Sequence, residues 1–248
     1  SEIRPAGAVL KTKGGQASGP QPLMDLLNFC RKTFLGAQGR KLTSLECHDI
    51  MCMVGQAAVS GGVRRTAMIS LFDYDDDEMR NCKNGDNLIG NDQRWNANNS
   101  AVWPEGILDT DIRRQMGEMH DGGRGEPGIF NRHAANNLKP DRRQARDDFG
   151  TNPCGEINLR SGEFCNLTIT IARQDDTLET LKDKVEVATI IGTIQSMGLN
   201  FPGLRQKWVD NCTEERLLGV DINGQLDCPL LVSDDGSIME LLKAHAIE

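Results

Sequence analysis

The chain has 248 residues, enough for one sizeable domain or two small ones. Its net charge of −8 argues against a uniformly basic face for nucleic acid, because phosphate binding needs clustered Lys and Arg. No run approaches the roughly 18 apolar residues of a membrane span, and no signal peptide opens the chain, so neither a membrane nor export is expected. With 38% hydrophobic and 4% aromatic residues, the chain is lean for a self-sufficient core. That predicts surface buried against something else, or a piece of a longer protein, and the start at Ser1 reads as processed or cut. Eight cysteines stand at positions 30, 47, 52, 82, 154, 165, 212 and 228. None forms a Cys-x-x-Cys pair, so no zinc or other metal site is read. A reducing, cytoplasmic setting fits this usage better than a disulfide scaffold.

Residues 1–21 are rich in Gly, Pro, Ser and Lys and read as loop. Pro22 opens a helix through Leu23, Leu26, Leu27 and Cys30 that ends near Gly36. Thr43-Ser44-Leu45-Glu46 is a capping box. The helix behind it carries Ile50, Val54, Ala57 and Ala58 at helical spacing and is predicted to stop at Gly61-Gly62. Cys47, His48 and Cys52 on it read as core or surface fillers. Val63 to Phe72 is strand-like. The acidic run Asp73 to Glu78 reads as a solvated face.

Asn81 to Arg94 is polar and Gly-bearing, hence loop. Ala97 to Trp103 reads as a strand ended by Pro104. Asp109 is expected to cap a helix from Thr110 to His120. Asp141 to Asp148, rich in Arg and Asp, reads as a solvated loop in which one Arg could serve a phosphate. Asn166 to Ala172 alternates as a strand. Thr177 to Leu199 is the strongest helix, with Leu181, Val185, Ala188, Ile191, Ile194 and Met197 on one face. Strands alternating with helices predict an α/β fold.

The stretch Thr151-Asn152-Pro153-Cys154-Gly155-Glu156 holds the most chemistry. Asn-Pro is a turn starter, and a turn with a small core Cys and a solvated Glu is one reading. Alternatively, Pro153 pushes Asn152 towards extended backbone. If the segment stays extended, Asn152, Cys154 and Glu156 share one face: an amide, a thiol and a carboxylate. Gly155 leaves room for something bulky to approach the backbone. A second thiol follows at Cys165.

Asn-Pro-Cys-Gly-Glu followed by Glu163-Phe164-Cys165-Asn166-Leu167 resembles the active-site loop of the ribonucleotide reductase large chain. The spacing is most similar to the adenosylcobalamin-dependent, class II triphosphate reductases. Further stretches are similar too: Gly14-Gly15-Gln16-Ala17-Ser18-Gly19-Pro20, Gly61-Gly62-Val63-Arg64-Arg65-Thr66-Ala67, Gly128-Ile129-Phe130-Asn131-Arg132 and Glu215-Arg216-Leu217-Leu218-Gly219-Val220. The resemblance implies part of a ten-stranded α/β barrel with a central finger loop at about 150–165. Residues 1–248 would be an internal segment of that catalytic barrel, inactive by itself.

By the same resemblance, Cys154 becomes a thiyl radical that takes hydrogen from ribose C3′, and Glu156 is the general base for the 3′-hydroxyl. Asn152 holds a ribose hydroxyl. Cys165 is one half of a dithiol that reduces the C2′ radical, its partner thiol having no match here. The loop before Ala97-Asn98-Asn99-Ser100, with Asn84, Gly85, Asp86, Asn87 and Arg94, would relay effector identity to the substrate site. The implied cofactor is adenosylcobalamin. The implied partners are a ribonucleotide substrate, a deoxynucleotide effector, an external dithiol such as thioredoxin and the remainder of the reductase chain. Two alternatives stay open: a class I ribonucleoside-diphosphate reductase large subunit, and a non-catalytic nucleotide-binding fragment.

Overall fold

The computed structural model describes residues 3–11, 14–58, 66–233 and 235–248; the similar stretch at 61–65 and the expected helix stop at Gly61-Gly62 lie outside the described residues. The chain forms two compact units, Ser1–Lys139 with Gly150–Glu156, and Pro140–Phe149 with Ile157–Glu248.

In the first unit, α1 (Gln21–Gly36) starts behind Pro20, and α2 (Ser44–Ala57) starts behind Thr43. The capping box is formed in full. Thr43 Oγ1 accepts from the Glu46 N–H at 3.2 Å, and Glu46 Oε2 accepts from the Thr43 N–H at 2.9 Å. Strand β1 (Met68–Asp73) follows, then α3 (Asp77–Asn81), β2 (Ala97–Trp103), α4 (Asp109–Gly122), β3 (Gly128–Asn131), α5 (Arg132–Leu138) and the short β4 (Gly150–Thr151). Strands β1, β2 and β3 lie in that order and run parallel, with Met68 opposite Ala97 and Ser100 opposite Gly128. Parallel neighbours require crossovers, which α3 and α4 supply. Phe72, Met79 and Ala101 form a core cluster here, with Leu45 and Tyr74 against it. Gln115 of α4 is fully buried, yet its amide is used at both ends: its oxygen accepts from Trp103 Nε1 at 2.6 Å, and its nitrogen reaches the carbonyls of Pro127 and Gly128.

The second unit contains β5 (Asn158–Leu159), β6 (Asn166–Ile171), α6 (Leu178–Ser196), α7 (Gln206–Glu215), β7 (Leu218–Asn223), α8 (Pro229–Val232) and α9 (Ser237–Ile247). Strands β6 and β7 are parallel, Asn166 opposite Leu218. Its core gathers Ala172, Leu181, Val185, Ile222, Cys228 and Leu242. Both units are therefore α/β with parallel strands, as expected. Among the described residues no helix is long and apolar enough to cross a membrane.

Several expectations are corrected in detail. On α2 the buried face is not Ile50 and Val54 but His48, Asp49, Cys52, Met53 and Gly55, because a polar cluster described below draws that face inward. Leu108, not Asp109, stands at the N-cap of α4 and gives no side-chain cap. Residues 81–94 are not plain loop: short 3-10 turns run over Gly85–Leu88 and Asp92–Asn96. The acidic run is mostly exposed, but Asp76 caps α3 by accepting from the Met79 N–H at 3.0 Å.

On α6 the buried stripe is Leu181, Val185, Ala188, Gly192 and Ser196, whereas Ile191, Ile194 and Met197 are exposed. Close approach decides this: a Cβ on Gly192 would come within 2.0 Å of Leu218 Cδ1, so the strands are met by small residues and the larger apolar ones fall beside the stripe.

The segment 141–148 is not uniformly solvated. Arg143 is buried, with Nη2 at 2.5 Å from Glu215 Oε2 and 3.5 Å from Glu163 Oε2. Arg160 joins the group through Glu214 at 2.6 Å and Glu215 at 3.4 Å, and its backbone N–H donates to Glu163 at 2.8 Å. Burial pushes the Glu163 carboxyl up to about 7; the Arg160 N–H opposes this and the Glu215 charge adds to it. A carboxyl raised in the folded state stays protonated while its unfolded counterpart ionises, so its contribution to stability is present below about 4.5 and is lost as pH rises through about 7. Glu163→Gln is expected to flatten that fall and to be more stable than wild type at pH 8. Urea unfolding of wild type and variant from pH 4.5 to 8 checks it; parallel pH profiles would contradict it.

Candidate active site

Thr151 ends β4, and the chain then turns at Pro153 and Cys154, with the Gly155 N–H donating to the Asn152 carbonyl at 3.0 Å. Pro153 presets φ for the first turn position, and Gly155, at φ +90, takes a backbone conformation that other residues adopt only with strain. The extended reading of this stretch is thus corrected to a turn. The amide and carboxylate still meet, across the turn and not along a strand: Asn152 Nδ2 donates to Glu156 Oε1 at 2.5 Å. Cys154 and Glu156 are exposed, and Asn152 is half-buried.

Cys154 lines a cleft of about 420 Å³ with Thr151, Pro153 and Gly155 on its own side. The opposite wall comes from Asn98, Asn99 and Ser100 of β2, Gly128 of β3 and Glu126 before it. Gly128 keeps that wall thin, since a Cβ there would meet Ser100 Oγ at 2.5 Å. The rim is joined to the turn by Asn98, whose Nδ2 donates to the Pro153 carbonyl at 2.7 Å.

Behind the cleft lies a buried polar cluster that the sequence reading missed. Asp49 of α2 and Arg94 form a bidentate pair, 2.7 Å at both contacts, and Arg94 Nη1 also donates to the carbonyls of Cys82 and Asn87 at 2.7 Å. Burial works against the Asp49 charge, but hydrogen bonds from Arg94 and His48 outweigh it and hold the carboxyl below its usual range. His48 Nε2 lies 3.1 Å from Asn99 Oδ1 and 3.6 Å from Cys52 Sγ, while Asn99 Nδ2 donates to Cys82 Sγ at 3.1 Å. Burial pushes Cys52 up to about 12 and Cys82 up to about 11, so both stay thiols. Glu126 accepts from the Asn99 N–H at 3.1 Å and pairs with the buried Lys83 at 2.8 Å. The signal available in the sequence was the i, i+4 spacing of His48 and Cys52, which puts them on one helix face; nothing local marks Glu126.

The residues expected in the relay loop separate by environment. Gly85, Asp86 and Asn87 are exposed and Asn84 is half-buried, whereas Arg94 is 6% exposed and committed to the cluster just described. Cys165 belongs to the second unit, half-buried immediately before β6. Its neighbour Phe164 packs on Phe201 and Trp208, at ring separations of 5.0 and 4.6 Å. Asn166 donates from Nδ2 to the Leu217 carbonyl at 3.0 Å. These contacts fix both neighbours of the thiol. Among the described residues no group of three or more His, Cys, Asp or Glu side chains could hold a metal ion.

The turn thus carries an exposed thiol at an open cleft beside an amide–carboxylate pair, and a second thiol stands 11 positions on. Over 67% of its length the chain is similar to adenosylcobalamin-dependent ribonucleoside-triphosphate reductases. It is 38% identical over 173 residues to that of Levilactobacillus brevis, 37% over 177 residues to that of Lactobacillus delbrueckii subsp. bulgaricus and 36% over 177 residues to that of Lactobacillus leichmannii. The chain belongs to this reductase family. The match spans 22–23% of the length of these relatives. No protein-family model matches the chain, and no solved structure matches it.

The relatives are named for a corrinoid cofactor, adenosylcobalamin. A cleft of about 420 Å³ is of nucleotide scale and offers no seat of corrin size. No residue of this chain is assigned to holding that group.

Proposed function

We propose that the chain supplies the radical-carrying thiol and its acid–base partner for reduction of ribonucleoside triphosphates to 2′-deoxyribonucleotides. The observation that carries this reading is the Asn152–Cys154–Glu156 turn: the thiol opens on a cleft, and the carboxylate is held by the amide on the same turn. The relatives' name supports the substrate class and adenosylcobalamin as radical source. The barrel expected from the resemblance, with 150–165 as its finger loop, belongs to this reading, as do the deoxynucleotide effector and the loop Asn84 to Arg94.

Hydrogen abstraction and proton transfer use this chain's own groups. Cys154, once its sulfur carries the radical, takes the C3′ hydrogen; an S–H bond forms and a C3′–H bond breaks. Glu156 accepts the 3′-hydroxyl proton, for which it must stand within hydrogen-bond reach, about 2.6–3.2 Å. Asn152 orients Glu156 and a ribose hydroxyl. The 2′-hydroxyl takes a proton from a thiol of the reducing pair and leaves as water, the pair's other hydrogen forms the new C2′–H bond, and Cys154 returns its hydrogen to C3′ and regains the radical. Two electrons come from a dithiol of which Cys165 is one half, and the resulting disulfide is reopened by an external dithiol of the thioredoxin kind.

The test is a chain completed with the flanking segments of the Levilactobacillus brevis relative, given a ribonucleoside triphosphate, adenosylcobalamin and a dithiol. Deoxynucleotide formation is expected, and its absence from a folded protein would overturn the reading. The two thiols should fail differently. Cys165→Ser is expected to keep exchange of a 3′-labelled hydrogen while losing deoxynucleotide yield, with base released instead. Normal yield from Cys165→Ser would remove its reducing role.

A further inference from the structure

Strand β2 contains a sequence choice that propensity does not explain. It is the central strand of its sheet, and Asn is depleted in strands, yet Asn98 and Asn99 stand side by side within it. Alternation sends the two side chains to opposite faces. Asn99, 3% exposed, reaches back to His48 and Cys82, and its N–H is held by Glu126. Asn98 is exposed on the cleft side and donates its amide to the Pro153 carbonyl, 55 residues away in sequence, at 2.7 Å. The carbonyl it holds is that of the peptide unit leading into Cys154.

We propose that Asn98 is a positioning residue: by tying the Pro153 carbonyl to the central strand, it fixes where the turn presents the Cys154 thiol. The inference rests on the reductase reading for the identity of Cys154 as the reacting thiol, and on the hydrogen bond alone for the ordering of the turn. The strand is a rigid anchor for this purpose. It is paired on both sides, and its inward Asn99 is bonded at the side chain and the backbone. A thiol carried on an exposed turn has no such rigidity of its own. Hydrogen transfer demands close and repeatable approach, so a shift of about 1 Å in the thiol lowers the rate steeply. Glu156 is oriented separately, through Asn152, so the turn holds thiol and carboxylate by two independent amides.

The experiment compares Asn98→Ala and Asn98→Asp. Asp keeps the size and shape of Asn but has no donor at neutral pH. The first readout is hydrogen exchange of the Gly155 amide, which the turn protects through the Asn152 carbonyl. Both variants are expected to speed it by about fivefold, the population shift set by one hydrogen bond of ordinary net strength. Unchanged exchange in both variants, or an Asp variant that behaves as wild type, would overturn the proposal, since the contact would then be packing and not donation. The second readout is steady-state kinetics in the completed chain, where both variants should lower kcat and leave KM for the nucleotide unchanged. A wild-type kcat in a variant with accelerated exchange would overturn the positioning role. Inactivity of the wild-type completed chain would count against the reductase reading, while the Gly155 exchange would still decide whether Asn98 holds the turn.

Discussion

Cys154→Ser in the completed chain is expected to abolish both exchange of the 3′ hydrogen and deoxynucleotide formation, leaving the fold intact. The sulfur is exposed at the cleft, so the substitution removes no core packing. The loss is chemical: a hydroxyl O–H bond is much stronger than a thiol S–H bond, so Ser cannot be converted to the hydrogen-abstracting species under the same driving force. Because no buried partner depends on Cys154, urea unfolding of the variant should match wild type within about 0.5 kcal/mol. Circular dichroism and activity, measured on the same preparation, separate the two effects. Residual deoxynucleotide formation well above background would contradict the assignment of Cys154.

The largest effect on stability is expected at Asp49. Its carboxylate and the Arg94 guanidinium are 11% and 7% exposed, bidentate and buried, which is the arrangement whose disruption is costly. Removing one partner leaves the other charge without compensation, at a cost of about 3–5 kcal/mol. Arg94 retains the carbonyls of Cys82 and Asn87, so Asp49→Asn should fall towards the lower end of that range. The double variant Asp49→Leu with Arg94→Met should cost less than the sum of the single changes, because neither charge is then stranded. Urea unfolding across this double-mutant cycle provides the check, and additive costs would show that the pair is not coupled. The same pair anchors the segment that carries Asn87, so hydrogen exchange across 85–92 should rise in Asp49→Asn.

Sequence reasoning reached some of this and stopped for physical reasons. Thr43-Ser44-Leu45-Glu46 was legible because a capping box is a local device: four residues hold both partners of both hydrogen bonds. The strands at Ala97 and Asn166 and the helix behind Thr177 were legible from periodicity. The buried stripe of α6 was not, because Gly192 and Ser196 face the strands at close approach while larger apolar residues do not, and hydrophobicity ranks them the other way. Arg143 read as solvated because its partners Glu163 and Glu215 stand 20 and 72 positions away, beyond any local pattern.

At the candidate site, the residue types and spacing of Asn152, Cys154 and Glu156 were visible, whereas their arrangement was not. Alternation along a strand would put residues 152 and 156 on one face about 13 Å apart, whereas closure across the turn, with its Gly155 to Asn152 hydrogen bond, brings them into contact. Asn98 was invisible as a partner of this turn, because a contact across 55 residues leaves no mark on either segment.

The central claim is that Cys154 takes the ribose 3′ hydrogen. The measurement that tests it most directly is turnover of a 3′-deuterated ribonucleoside triphosphate by the completed chain, beside the unlabelled substrate and beside Cys154→Ser. The account predicts slower turnover of the deuterated substrate by wild type, with deuterium appearing in solvent or retained at C3′, and no turnover of either substrate by Cys154→Ser. Deoxynucleotide formation that continues in Cys154→Ser with no loss or transfer of the 3′ label would contradict it.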